Sequence, residues 1–303
     1  MQGRGVLAGL IALLALLLLL PAAVNRGVLQ FPDTTTYIRG VDAAVVAVTG
    51  HSMAGGSVAT IQFLDLKHGW LVNQQPTAPD ATLYSTTDGG AHWRRVRRSL
   101  GEIAPVLFTS SRRAWQAGGP FARSLYRSTD AGRTWREMRL RLPSNIRRAS
   151  YDLPVVFGNR VLEAVSVLRR GRVELRIYGS PDSGDTWKLE SSLKLPSSNA
   201  DFCSLFATRA PPAVGLATSR VWRAAGYYAG SWHAYSTEDA GRHWHSTVIG
   251  RVRAPASCAQ APTMQALDSK TAWFRFTVGE SDGRLYATKD GGRHWRRLRL
   301  NMP

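Results

Sequence analysis

The chain has 303 residues, 44% of them apolar and 20% charged, with 28 Gly and 15 Pro. That apolar share excludes a disordered protein, and turn formers without a three-residue period exclude a collagen or a long coiled coil. Lys and Arg total 39 against 21 acidic residues, a formal net charge of +18 with only five Lys; no basic run interleaved with aromatics suits nucleic acid, which leaves an anionic membrane surface or cell-wall polymer as charge-matched partners.

Residues 1–24 differ from the rest. MQGRG is followed by VLAGLIALLALLLLL and PAAV, with no charge between Arg4 and Arg26. A short basic start, an apolar centre and small terminal residues read as a signal peptide. The uncharged run from Gly5 to Val24 would equally span a hydrocarbon core of ~30 Å as an apolar helix. Pro21 spoils the small-x-small pattern before Ala23, so a cleaved signal and a retained transmembrane signal anchor both stand. Either places the rest outside the cytoplasm, secreted or tethered to the membrane. Residues 25–56 make an N-terminal segment with one strand-like run, VDAAVVAVTG (41–50), able to close a ring or open a further blade.

From residue 57 onward one pattern recurs. TTDGGAHW (86–93), STDAGRTW (128–135), SPDSGDTW (180–187), TEDAGRHW (237–244) and TKDGGRHW (288–295) share the frame S/T-x-D-x-G-x-x-W. A Tyr stands four residues before each Asp, in a stretch that alternates as a strand does. Further upstream lie GWLV (Trp70), AWQA (Trp115), VLEA (Leu162), VWRA (Trp222) and AWFR (Trp273), and before those IQFLD, VLFTS, VVFG, VGLAT and MQALD. After each box comes a last stretch such as WRRVRR. Each unit is therefore four short strands, and successive box Asp residues lie 42, 52, 57 and 51 residues apart. That period and strand count predict an all-β protein, a β-propeller of about five four-stranded blades, alternatively six, over residues 57–303.

The box then reads as a hairpin corner between the third and fourth strands. Gly90, Gly132, Gly184, Gly241 and Gly292 supply positive φ. Asp88, Asp130, Asp182, Asp239 and Asp290 are expected to accept bonds from the turn's own amides. Trp93, Trp135, Trp187, Trp244 and Trp295 cap the corner with an apolar ring. A carboxylate bound by its own turn is unavailable for chemistry, so no catalytic residue is assigned.

This frame is the Asp box, and the chain resembles bacterial neuraminidase-type repeat proteins. It is most similar in look to the photosystem II assembly and stability factor-like propellers, whose F-x-D-x-x-x-G-W-x-V pattern stands here as Phe63, Asp65, Gly69, Trp70 and Val72. Sialidases and sortilin-type receptors share the box. The resemblance implies that the boxes lie on the face opposite the one used for ligands. The second-to-third-strand loops on that other face include RAAGYYAGSWHA, whose Tyr227, Tyr228, Trp232 and His233 are candidates for contact with a protein or glycan. The alternative is that they fold back over their own blade. Cys203 and Cys258 fall in consecutive between-blade crossings on the same face, which makes them a candidate disulfide in an oxidising compartment.

Two functions follow. The first is an exported, membrane-associated propeller that binds another protein as an assembly scaffold, without catalysis or cofactor. The alternative is a sialidase-like glycoside hydrolase or glycan-binding propeller. A sialidase needs an arginine triad and a Tyr backed by Glu; the nearest offering to its Arg-Ile-Pro start is TYIRG, with Arg39. Three further expectations concern charge and metal. The final strands, from Arg94 to Arg98, Arg136 to Arg141 and Arg296 to Leu300, carry arginines that either protect sheet edges or lean on an anionic surface. His92, His243 and His294 precede a box Trp, and His245 follows one. They lack Cys or acidic companions at ligand spacing, so no metal site is expected.

Overall fold

The computed structural model describes residues from 52 to 299 apart from 54–55, 75–80, 99–105, 119–123, 145, 147, 170–171, 197–212, 229, 252–261 and 279–281. Within them the chain is entirely β. Blade 1 holds β1 (Ser52–Met53), β2 (Gly56–Phe63), β3 (Gly69–Gln74), β4 (Ala81–Thr86) and β5 (Arg94–Arg98). Blade 2 holds β6 (Val106–Phe108), β7 (Ala114–Gly118), β8 (Ser124–Ser128) and β9 (Arg136–Met138). Blade 3 holds β10 (Arg148–Tyr151), β11 (Val155–Phe157), β12 (Arg160–Arg169), β13 (Arg172–Ser180) and β14 (Lys188–Lys194). Blade 4 holds β15 (Ala213–Leu216), β16 (Trp222–Tyr228), β17 (Ser231–Thr237) and β18 (His245–Arg251). Blade 5 holds β19 (Thr263–Ala266), β20 (Ala272–Val278), β21 (Asp282–Thr288) and β22 (Arg296–Leu298). Every sheet is antiparallel in sequence order, with β10 and β11 both pairing β12.

Alternation explains why the sheets stack. Along β12, Val161, Val165 and Val167 face blade 2, among Trp115, Leu125 and Met138. Leu162 and Ala164 face blade 4, among Trp222 and Ala224. Both faces of a blade are thus apolar, and each blade is covered by its neighbours. Trp70 stacks on Phe108 at 4.0 Å between blades 1 and 2. Trp232, Phe274 and Phe276 fill the joint between blades 4 and 5. Gln62 adds a polar staple: its amide donates to the Phe108 carbonyl at 2.6 Å and accepts from the Phe108 amide at 2.7 Å.

The first strand of each blade lies at the centre and the last at the rim. Residues of β11, β15 and β19 line one small cleft together, whereas Arg94, Arg95, Arg136, Lys188, Arg296 and Arg297 on the final strands are exposed. This is a β-propeller, with five blades among the described residues. Residues 1–24, the 41–50 run, Arg39 and both cysteines lie outside those residues. Of the N-terminal segment, β1 is described, and it extends blade 1 by pairing with β2. Among the described residues no helix is long and apolar enough to cross a membrane.

Two expectations need correction. RAAGYYAGSWHA is no loop but a hairpin, with Tyr227 opposite Trp232 and Tyr228 opposite Ser231. Trp232 is 3% exposed, because strand alternation turns it into the joint with blade 5. The upstream tryptophans also do not all occupy one slot. The first box residue pairs with Gly69, Ala114, Val161, Trp222 and Ala272 in the five blades. Arg223, not Trp222, therefore corresponds to Trp70, Trp115, Leu162 and Trp273. Trp222 points back to blade 3, and Arg223 points forward to blade 5.

Candidate functional site

The five box corners share one bonding scheme. In blade 2 the Ser128 hydroxyl donates to Asp130 Oδ1 at 2.9 Å and accepts from the Gly132 amide at 2.8 Å. Asp130 Oδ1 also accepts from the Thr134 amide at 2.9 Å, and Oδ2 from the Thr134 hydroxyl at 2.6 Å. Blade 3 repeats this with Ser180, Asp182, Gly184 and Thr186. In the other three a histidine replaces that threonine: Nδ1 of His92, His243 and His294 lies 2.6–2.7 Å from Oδ2 of Asp88, Asp239 and Asp290. The histidine recurrence thus has a structural cause, a donor for the second carboxylate oxygen. The residue before the indole carries this signal in the sequence as His or Thr.

These bonds lower the carboxyl groups. At Asp182 the Thr186 hydroxyl, the Thr186 amide and the Ser180 hydroxyl hold the group at about 2. At Asp130 burial pushes upward, but the Thr134 and Ser128 bonds outweigh it and the group also sits at about 2. The amides of His92, His243 and His294 lead in holding Asp88, Asp239 and Asp290 well below the usual range.

Each corner also locks to a second turn. The amide of the residue before the box Gly donates to the turn between the blade's first two strands, as Ala131 does to the Arg112 carbonyl at 2.8 Å and Ala240 to the Arg220 carbonyl at 2.9 Å. That contact accompanies an unusual backbone. Ala131, Ser183 and Ala240 lie at φ 59–62° although none is Gly. Those first turns are self-closed too: Asp65 accepts from the Lys67 and His68 amides, and Asp268 from those of Lys270 and Thr271. Asp65 is lowered to about 2, led by the His68 amide. The box tryptophans are half-buried, with Trp135 and Trp187 donating Nε1 to the carbonyls of Gly132 and Gly184 at 3.0 and 3.1 Å.

At the position of Trp115, Arg223 is 1% exposed. Its guanidinium donates to the carbonyls of Trp222 (2.9 Å), Thr237 (3.1 Å) and Ser269, stapling blade 4 to the first turn of blade 5.

Near the axis stands a different pair of acids, which no local spacing announces. Between β10 and β11 the inner strand of blade 3 breaks at Asp152–Pro154. The Asp152 amide donates to Glu163 Oε1 at 3.1 Å. Glu163 is fully buried and its Oε2 meets no donor. Burial, then the neighbouring Asp152, pushes Glu163 well above the ordinary range. The Asp152 carboxyl is pushed up as well, to about 6, by the protein packed around it, against the opposing bond from the Leu153 amide at 3.2 Å. Asp152 lines a cleft of ≈ 40 Å³ with Val155, Leu216, Met264 and Gln265. That is room for about three water molecules.

Of the four aromatic-loop candidates, Trp232 is buried and Tyr227 and His233 are half-buried on the β16–β17 hairpin; Tyr228 lies at the end of β16. Among the described residues no cluster of three or more His, Cys, Asp or Glu could hold a metal ion.

No family model matches the chain, and no curated protein matches it. Solved structures do. One is YCF48 bound to a D1 peptide, at 18% identity over 77% of this chain and 79% of that one, TM-score 0.34. A second is the GH93 α-L-arabinofuranosidase of Fusarium graminearum with arabinobiose, at 14% over 80% and 79%, TM-score 0.43. A third is the Aleuria aurantia lectin with α-methyl-L-fucoside, at 11% over 85% and 77%, TM-score 0.46. Likeness at this level says nothing of activity, which has to come from the residues.

Proposed function

We propose that this chain is an exported, membrane-associated propeller that holds a protein partner on the face opposite the boxes, without catalysis. The observation carrying this reading is the state of the box acids: all five carboxylates are bound within their own corners by amides, hydroxyls or imidazoles and are taken up by structure. What remains for recognition is surface. The β16–β17 hairpin carries Tyr227, Tyr228 and His233 as candidate contacts, with buried Trp232 packed edge-on against Tyr227 at 5.5 Å. Pull-down from membranes with the full chain tests this. Tyr228→Ala is expected to reduce partner recovery about tenfold or more at unchanged Tm, whereas Trp232→Ala lowers Tm. Unchanged recovery with Tyr228→Ala and His233→Ala combined refutes the contact.

A second reading, a glycoside hydrolase or glycan-binding propeller, is favoured by the raised Asp152 carboxyl beside Glu163 at the axis. Glycan turnover by the full chain, abolished in Asp152→Asn, would replace the scaffold reading with this one.

A further inference from the structure

The rim of the wheel is unevenly charged. On β14, Lys188 and Lys194 flank Glu190, which takes Nη2 of Arg160 on both oxygens at 2.7 Å. On β18 the charged groups are His245 and Arg251 at its two ends, and blade 5 ends in exposed Arg296, Arg297 and Arg299 with no acid on the strand. Blades 1 and 2 place two such arginine-rich edges in succession, on β5 and on β9 with the segment that follows it. Arg94, Arg95, Arg136, Arg139 and Arg141 are all exposed, and the acid among them, Glu137, already accepts from the Ser124 hydroxyl at 2.8 Å. The edge of blade 1 reaches the corner that leads into β9: Arg97 donates Nη1 to the Arg133 carbonyl of blade 2 at 3.1 Å.

Guarding a strand edge takes one or two charges. Six arginines on two adjoining edges with one engaged acid exceed that need, and like charges held together repel unless an anion joins them. We infer that the outer edges of blades 1 and 2 form a binding surface for a linear polyanion bearing phosphate or carboxylate groups. Guanidinium forks suit both groups, in pairs of parallel hydrogen bonds. Shape selects the polymer over a bilayer. The edges stand on the convex wall of the wheel, which a flat sheet meets along a line and a flexible chain can follow from blade to blade. This surface lies at the rim, apart from the β16–β17 hairpin, so either proposal can fail alone.

The test uses the full chain in detergent with polyphosphate as the probe, titrated at two salt concentrations. Arg94→Glu, Arg95→Glu and Arg136→Glu combined should weaken binding at least about tenfold, and wild-type affinity should fall steeply with salt. The charge-matched control, Arg220→Glu, Arg242→Glu and Arg293→Glu on the box face, should change it less than about threefold. Equal losses in the two triple variants would show a response to net charge alone and overturn the assignment. So would absence of wild-type binding. Weakened capture of anionic phosphatidylglycerol nanodiscs with unchanged polyphosphate binding would transfer the surface to lipid. If the reversal triple does not fold, Arg94→Gln with Arg136→Gln reads the same site through a smaller loss.

Discussion

Carboxylates at the box corners and carboxylates at the axis are the same chemical group driven in opposite directions. Asp182 receives an amide and two hydroxyls and is held at about 2. Glu163 receives one amide, is shut away from water and faces another acid, so it is pushed well above the ordinary range. The difference teaches that donor count and access to water, not residue type, decide which acids stabilise this wheel. The corner acids favour folding when ionised, and the axial pair resists ionising.

The sharpest way to break that contrast is to deform a corner. Gly184 sits at φ 94°, and a methyl group there would strike the Trp115 ring of blade 2. Gly184→Ala should lower Tm by roughly 8 °C or more, as strain and overpacking act together. Asp130→Ala leaves the corner shape but removes its acceptor, and thermal melts should show a fall of about 3 to 6 °C. Next comes Glu163→Gln. A raised carboxyl contributes stability below its unfolded value near 4.5, and that contribution is lost as pH rises through the folded value. The variant should therefore flatten the alkaline fall of Tm and melt about 2 to 4 °C above wild type at pH 8, with no gain at pH 4. The smallest effect belongs to Asp182→Asn. A lowered carboxyl stabilises above the unfolded value of 3.8, and the contribution disappears as pH falls toward about 2. Melts between pH 4 and pH 2 should be shallower in this variant. An unchanged acid limb would show that the corner bonds do not distinguish the two states of the acid.

The corners were legible in the sequence because their bonds are local. Ser, Asp, Gly and the donor before Trp lie within eight residues, so one loop's chemistry repeats visibly five times. Four-strand units were legible for the same reason, since short turns join neighbours. What escaped depends on contacts between distant residues. Trp222 looks like Trp115 by composition, yet pairing with Thr237 sets it one place earlier and hands the forward slot to Arg223. RAAGYYAGSWHA has the Gly and Ala of a loop, and only its pairing shows a hairpin that buries Trp232. The Asp152 and Glu163 pair joins residues eleven apart through a broken inner strand, which no periodicity marks.

The corner geometry has one more consequence. Its bonds use the first, third and fifth residues, the donor before the indole and the indole itself, leaving the sixth place free of the frame. That place holds Ala91, Arg133, Asp185, Arg242 and Arg293, all exposed. In blade 3 that side chain is committed, since Asp185 takes the Arg127 guanidinium of blade 2; in the other four blades it is an interchangeable tip, and mutation can recharge that end of the wheel one corner at a time while the architecture beneath stays intact.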